Sequence, residues 1–455
     1  MQIQDKYKTL KKFISLNTDN RINFIDRLSL DSRNKLSGKV FISLATDKDK
    51  NLNNILDAIK NGASAIVTKY DFTRDYLNDT TPYYIKENLD NMYHLLFMDS
   101  IKKFKKKLQL VGITGTDGKT STSLLLASSL TKLKNKVGVI TSEGIGIFPK
   151  LNPSIYTTPT IDIIYRSLYT FLSKRADVVI IECSSQGLAQ DRMRGLSFDF
   201  GIITNIRSDH LDYHLSLSEY IKSKLLILEK SKTSILNYDQ FKNVKIQNLN
   251  YRKNTHVLSN NPMINKRHGY SENYILYNRE KIHIPNKIEQ AANKNSIYII
   301  VILLKLLGYK KESIQKVLLK LKPIRGRRNI IHTKNKGLFI IDYAHTLSSF
   351  TDIYKITKLQ DKKVVSLFGC GGDRDKSKRP LIAEIVCQNS DSVIITEDNS
   401  RNESFESVKR DIFKGIINKS KCYVIKSRKT AIKKIYRQSK SNYVNFILGK
   451  GNEDY

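Results

Sequence analysis

The 455-residue chain reads as an α/β protein built on parallel sheets, and three observations point there. One unit recurs along it: a short β-branched run, a polar turn, then an amphipathic stretch. The runs are continuously apolar, as in VVIIE at Val178–Glu182. Such strands, alternating with helical patterns, indicate sheets covered by helices on both faces. Finally, the polar residues that form motifs follow the carboxyl ends of these runs, the edge at which open α/β sheets bind ligands.

Taken in order, the first such strand is Leu108–Thr114 (LQLVGIT), followed by a Gly-containing turn and an apolar helix over Thr122–Leu133. Val137–Thr141, Val178–Glu182 and Ile202–Thr204 are further strands, and a long helical region covers Ile288–Leu321. A second set of strands follows at Leu338–Asp342, Val364–Phe368, Val393–Thr396 and Phe446–Leu448. Two segments suggest boundaries. The basic Lys102–Lys107 precedes the first of these strands, and Lys322–Arg327 (KPIRGR) separates the helical region from the second set. The expected parts are 1–105, 106–325 and 326–455. No repeat with a period of roughly 20–50 residues is visible.

Hydrophobic residues at 40% and aromatics at 9% suffice for several cores, which excludes a disordered or fibrous chain. The longest apolar run, Ile297–Leu307, is interrupted by Lys305; none reaches the roughly 18–20 residues of a membrane helix, so stable membrane insertion is not expected. The start, MQIQDKYKTLKKF, has lysines but no apolar stretch behind them, so no secretory signal and a cytoplasmic location are expected. Cys183, Cys370, Cys387 and Cys422 lack CxxC spacing and support neither a disulfide framework nor a zinc site. The net charge of +35 raises the question of nucleic acid. The basic residues are spread along the whole chain without an aromatic-rich RNA motif. Lysine, isoleucine and asparagine are plentiful and Trp is absent, the drift expected of an AT-rich genome. No nucleic-acid partner is expected, although the charge attracts anionic substrates whatever its origin.

Ile113-Thr114-Gly115-Thr116-Asp117-Gly118-Lys119-Thr120-Ser121 joins a strand to a helix. Glycines let backbone N–H groups approach phosphate oxygens, the helix start adds partial positive charge, the lysine neutralises the β- and γ-phosphates and a Thr hydroxyl can hold Mg²⁺. Residues Gly115 to Ser121 are therefore candidate ATP ligands. The strict phosphate-loop pattern has glycine where this chain has Ile113.

This loop, TGTDGKTS, resembles that of the Mur ligases, the ATP-dependent amide-forming enzymes of peptidoglycan synthesis. The resemblance extends from about residue 28 to the last residue. It is carried by Asp31-Ser32-Arg33, Thr157-Thr158-Pro159, Glu182-Cys183-Ser184-Ser185, the run Asp209–His214 (DHLDYH), Asp342-Tyr343-Ala344-His345-Thr346 and the run Gly371–Lys376 (GGDRDK). The last two point to the MurE-type branch. The resemblance implies three domains: an N-terminal UDP-binding domain, a central P-loop ATPase-like domain with a parallel sheet, and a Rossmann-like C-terminal domain that reads the amino acid. It implies that ATP phosphorylates the carboxylate of UDP-N-acetylmuramoyl-L-alanyl-D-glutamate and that a diamino acid, meso-diaminopimelate, attacks the acyl phosphate. A monomer handling small-molecule substrates is expected.

Residue by residue, the resemblance makes Lys119, Glu182, His210 and Lys224 the catalytic set. Thr120, Glu182, His210 and Lys224, the last as a carbamate formed with CO₂, would hold Mg²⁺. Asn293, Arg327, Asp342 and His345 fall on the nucleotide side. Ser32 corresponds to a uridine-diphosphate contact, and Thr157, Thr158, Ser184, Gln190 and Arg192 to muramoyl-peptide contacts. Asp398-Asn399-Ser400-Arg401 resembles the DNPR motif, whose Arg would pair with the distal carboxylate of diaminopimelate; Arg374, Gly449 and Glu453 correspond to further contacts. Departures from the pattern are Ser400 for Pro, Leu347 for Pro, Gln186 for His, Asn452 for His, and Thr46-Asp47 for Gly-His, which puts an anion near the expected UDP. The chain also ends before family members usually do, so the third domain is expected to be shortened. Lysine or ornithine as the amino acid, recruitment to another coupling, and a non-catalytic protein retaining the fold are the competing readings. Retention of Lys119, Glu182 and Lys224 favours an active enzyme.

Overall fold

The computed structural model describes residues 2–19, 21–72, 80–86, 88–102, 104, 108–241, 254–261, 268–271, 273–285, 288, 293–356 and 361–451. They form two compact units. One comprises Met1–Leu110, Asn135–Ile181 and Gly187–Ser197, and the other Val111–Lys134, Glu182–Gln186 and Phe198–Tyr455. Among the described residues no helix is long and apolar enough to cross a membrane.

In the first unit, strands Leu28–Ser29, Val40–Ile42, Ala65–Thr68 and Tyr83–Ile85 form a parallel sheet in sequence order. Phe41, Ile55, Ala58 and Ile66 close its core with helix Lys48–Lys60. Asp47 caps that helix by accepting from Lys50 N at 2.8 Å, so the anion expected near UDP has a local structural task. The same unit pairs Val137–Thr141 parallel with Val178–Glu182 and antiparallel with Gly144–Ile147. Helix Ile161–Ser173 buries Ile164, Tyr165, Leu168 and Phe171, the one-sided spacing of a helix lying on a sheet.

Among the described residues the second unit holds two sheets of parallel character. In the first, Thr255–Leu258, Ser231–Asn237, Phe198–Ile203 and Gln109–Thr114 lie side by side, all parallel. A small antiparallel sheet, His268–Tyr270, Tyr274–Tyr277 and Glu280–His283, accompanies it. The other main sheet has six strands in the order Asn329–Thr333, Gly337–Asp342, Tyr443–Leu448, Lys363–Phe368, Ser392–Ile395 and Cys422–Val424. All of its neighbours are parallel except the first pair. Helices cover both faces: Phe350, Ile382, Val386 and Ile412 pack on one, Ala431 and Ile435 on the other. The expected doubly covered α/β sheets are present.

Two expected helical segments differ. The helix after the phosphate loop runs Lys119–Lys132 and so starts three residues earlier than Thr122, because Gly118 at φ +80° turns the chain directly into it. Among its described residues the region Ile288–Leu321 holds two α-helices, Lys294–Leu306 and Lys311–Leu318. Gly308 at φ +86° ends the first: its N–H donates to Lys305 O at 2.9 Å and that of Tyr309 to Leu304 O at 3.0 Å, a Schellman stop.

Candidate active site

The site begins where strand Gln109–Thr114 meets helix Lys119–Lys132. A side chain at Gly115 would bring its Cβ within 1.8 Å of Thr204 Oγ1, so only glycine permits the approach of the neighbouring strand's end. That end clasps the loop. Asn205 Oδ1 accepts from Thr116 N at 3.1 Å and Asp117 N at 2.9 Å, and Thr204 Oγ1 donates to Asp117 O at 2.7 Å. Thr116 Oγ1 lies 2.9 Å from the Tyr220 hydroxyl. Lys119 Nζ donates to Gly115 O and Thr116 O, both at 3.0 Å. The loop thus has a preset shape around the lysine, with the helix start behind it, as an anion site requires.

Thr120 and Glu182 meet here. The Thr120 hydroxyl lies 3.0 and 3.1 Å from the two carboxylate oxygens, and both side chains are buried. Lys224, in helix Leu217–Glu229, is 1% exposed and donates to Gly115 O at 2.6 Å. Burial, reinforced by the positive charge of Lys119, pushes its pKa well below the usual lysine value. The neighbouring Lys222 pairs with Glu219 at the surface, its side chain 68% exposed.

His210 sits at φ +54°, with Nε2 3.5 Å from Asp209 Oδ2. Burial, and then Lys119, Lys224 and Arg374, push its pKa down to about 3 against the pull of Asp209, so the imidazole is neutral. Burial opposes ionisation of Asp209, but His210, Lys378 and His345 together hold its carboxyl well below the usual range; Lys378 Nζ is 3.3 Å away. Among the described residues no three His, Cys, Asp or Glu side chains converge as a metal-ligating cluster.

The six-stranded sheet also reaches this loop. Asp117 accepts from the Thr346 hydroxyl at 2.9 Å and the Ser348 hydroxyl at 2.7 Å. Thr346 heads helix Leu347–Tyr354 in a capping box with Ser349. Beside it, the Arg327 guanidinium stacks 3.9 Å from the Tyr343 ring centre, Asp342 accepts from Arg328 N at 2.7 Å, and His345 Nδ1 lies 3.0 Å from Tyr343 O. Asn293 is the N-cap of helix Lys294–Leu306 and accepts from Asn295 N. It is Asn295 that ties this helix to the clasp, donating to Thr204 O and accepting from Asn237, both at 2.8 Å. Ser121 lies in the first turn after the loop and Ser184 just beyond strand Val178–Glu182.

In the first unit, Arg192 donates twice to Gln190 Oε1, at 2.9 and 2.7 Å, and once to the Thr158 carbonyl. Thr158 is buried and Thr157 next to it half-buried. Ser32, also buried, presents its carbonyl to Asn61 Nδ2 at 2.8 Å. These residues supply hydroxyls, an amide and a guanidinium, the types expected for an anionic peptide.

At the carboxyl edge of the six-stranded sheet, Arg374 and Arg401 come together over Gly371: a Cβ there would meet Arg401 Nη1 at 3.0 Å and Arg374 Cγ at 3.8 Å. Arg401 is exposed and donates to Gly372 O, while the Asn399 carbonyl accepts from Gly372 N at 2.8 Å. A side chain at Gly449 would meet Asp398 Oδ2 at 2.3 Å. Glu453 lies outside the described residues. Sequence reasoning missed the Thr204-Asn205 clasp, Asn295 and Lys378. The only signal for the clasp was its place after a strand's carboxyl end.

The Mur ligase middle domain profile matches residues 113–299, and that of the Mur ligase glutamate ligase domain matches 326–451. A UDP-N-acetylmuramoyl-L-alanyl-D-glutamate–2,6-diaminopimelate ligase of Wigglesworthia glossinidia brevipalpis is 33% identical, over 99% of this chain and 95% of the relative. An enzyme of the same name from Clostridium tetani is 30% identical over 100% and 95%. A solved structure bearing that name superposes with TM-score 0.62 at 25% identity, covering 94% of this chain and 90% of that one. The Thermotoga maritima MurF ligase in complex with ADP shares the fold, with TM-score 0.60 at 17% identity over 94% and 95%. The chain belongs to the Mur ligase family.

Proposed function

We propose that this chain is the ATP-dependent ligase that joins meso-diaminopimelate to UDP-N-acetylmuramoyl-L-alanyl-D-glutamate in cytoplasmic peptidoglycan precursor synthesis. It acts as a monomer with the domains 1–105, 106–325 and 326–455. The observation that carries this reading is the convergence of half-buried Lys119 with buried Lys224, Thr120 and Glu182 on one phosphate loop, in a chain whose relatives of that name match it along its full length. Lys119 and the Thr116–Thr120 amides meet the phosphates of ATP, and preorganised positive charge there stabilises the phosphoryl group in transit. Thr120 and Glu182 are hard oxygen donors held within 3.1 Å of each other, a pair that fits Mg²⁺. The neutral His210 imidazole is free of the proton that would bar ligation. Bound Mg²⁺ neutralises charge on the phosphates. Burial favours the unprotonated amine of Lys224, the form that reacts with CO₂: its nitrogen bonds the carbon and a proton leaves.

Gln190, Thr157, Thr158, Ser184 and Arg192 hold the muramoyl peptide and Ser32 the uridine diphosphate. Asn293, Arg327, Asp342 and His345 line the nucleotide side. Arg374, Asp398, Asn399, Arg401, Gly449 and Glu453 receive the amino acid. Pairing of Arg401 with the distal carboxylate excludes lysine, which would leave the guanidinium without that partner. The test is ADP release with UDP-N-acetylmuramoyl-L-alanyl-D-glutamate and a panel of diaminopimelate, lysine and ornithine. A hydrogen bond to a charged group contributes about 1.5–3 kcal/mol, so diaminopimelate should exceed lysine in kcat/KM by about tenfold or more. Arg401→Ala should remove most of that ratio. Equal use of the two amino acids would defeat the assigned specificity, and no ADP release with any of them would defeat the ligase reading.

A further inference from the structure

One buried ion pair stands outside the groups assigned above. Arg379, in the first turn of helix Lys378–Gln388, has a side chain 1% exposed. Its guanidinium donates to both Glu403 oxygens, at 2.9 and 2.6 Å, to Asp411 at 3.0 Å and to the Gly371 carbonyl at 3.1 Å. The Glu403 carboxylate also accepts from Asp373 N at 3.1 Å and from the Ser407 hydroxyl at 2.8 Å, and Lys376 lies 3.3 Å away. Glu403 closes the segment that carries Asp398, Asn399 and Arg401, and Gly371 to Lys376 form the segment that carries Arg374. The pair therefore bonds to both segments at their roots. Its fork geometry admits one spacing between them.

The two segments need such a constraint. Asp373 and Arg401 both occupy the left-handed region, at φ +49° and +50°, which side-chain-bearing residues hold only where the surroundings over-determine it. The cross-links between the segments join their backbones closely: Asn402 N donates to Asp373 Oδ2 at 2.9 Å, Gly372 N to Asn399 O at 2.8 Å, and a Cβ at Gly372 would lie 1.8 Å from Ser400 O. Arg379 is too deeply buried to touch a substrate, so it acts through the groups it holds.

We propose that the Arg379–Glu403 pair is a positioning device that sets the distance between Arg374 and Arg401 and so tunes recognition of the incoming amino acid. This rests on the reading that those two arginines receive that amino acid. Removing one partner of a buried pair leaves an uncompensated charge, and the loop spacing relaxes before the nucleotide loop is affected.

The test uses the full chain and the ADP-release assay, with whichever amino acid the wild type uses best. Replacing Glu403→Gln should raise KM for the amino acid about tenfold or more, with KM for ATP and for the UDP substrate within about twofold. Asp411→Asn is the control. It removes the charge of another Arg379 partner but touches neither segment, and should leave all three KM values within about twofold. Glu403→Asp keeps the charge and should restore part of the affinity; it decides the matter on the same criterion if Glu403→Gln does not fold. An unchanged amino-acid KM, a parallel rise in all three, or an equal rise in Asp411→Asn overturns the proposal. A wild type that prefers lysine refutes the diaminopimelate assignment but leaves this comparison intact, because it is then made on KM for lysine.

Discussion

At the residue scale, Lys224 shows how far environment can move a side chain's chemistry. Two residues away, Lys222 lies at the surface paired with Glu219, whereas burial and Lys119 take Lys224 toward its neutral amine. We expect Lys224→Ala to lower ADP release by at least about a hundredfold, the scale of losing one preorganised electrostatic group. Millimolar acetate or formate should restore part of it by standing in for the carbamate; full activity in the variant would end the carbamate role. His210 gives a pH signature in the nucleotide-free protein. Its folded pKa, about 3, lies below the unfolded value of about 6.5. Between the two the unfolded chain binds the extra proton, so its contribution makes stability fall as pH drops from 6.5 toward 3. Asp209 and Glu403, whose carboxyl pKa values are depressed, lose their contribution only as pH falls below the ordinary carboxylate range. Urea melts of wild type and His210→Asn should therefore diverge between about pH 6.5 and 4.5, with the variant less acid-sensitive. Parallel curves would show that His210 is not held neutral.

At the element scale, the site is made of element ends. A strand terminus and a helix start form the phosphate loop, a second strand terminus clasps it, and the cap of a third element, helix Leu347–Tyr354, bonds to its Asp117. Thr346 does two things at once: it caps its own helix and donates to a carboxylate. Thr346→Val keeps the shape and removes both, and should cost roughly 2–3 kcal/mol, a cap of about 1 plus a charge-assisted bond of about 1.5–3 kcal/mol less partial relaxation. Ser349→Ala removes the capping-box hydroxyl and the bond it accepts from His345 N but leaves Thr346 as a donor to Asp117, and should cost about 1 kcal/mol. Denaturant midpoints compare them. Equal losses would mean that the bond to Asp117 contributes nothing to stability.

At the scale of the whole molecule, nucleotide binding should register as stability, because a ligand that binds only the folded state adds RT ln(1 + [L]/Kd). With MgATP at about a hundred times Kd the gain is about 2.7 kcal/mol, a thermal shift of a few degrees. In Lys119→Ala the shift should vanish while the apo melting temperature stays close to wild type, since among the described residues this side chain bonds to two carbonyls of its own loop. An equal shift in the variant would place the nucleotide elsewhere.

Much of this protein was legible without coordinates. Continuous apolar runs specify buried parallel strands because only a doubly covered sheet hides both of their faces. The phosphate loop was legible because its requirements are local: glycine where the backbone is crowded, a lysine and a hydroxyl at a helix start. The separate halves of the region Ile288–Leu321 could have been read from Gly308, a residue suited to a helix stop, but the apolar pattern on either side outweighed it. What the tertiary structure alone decided are pairings between distant residues. Asp117 meets Thr346 across 229 positions and Lys224 meets Gly115 across 109. Asn205 clasps the loop, and Arg379 is buried against Glu403. The physical reason is range. Dihedral limits, caps and periodicity act over a few residues and leave their mark in the local sequence, whereas the partner of a buried polar group is set by strand order and packing, which bring together segments that share no local pattern.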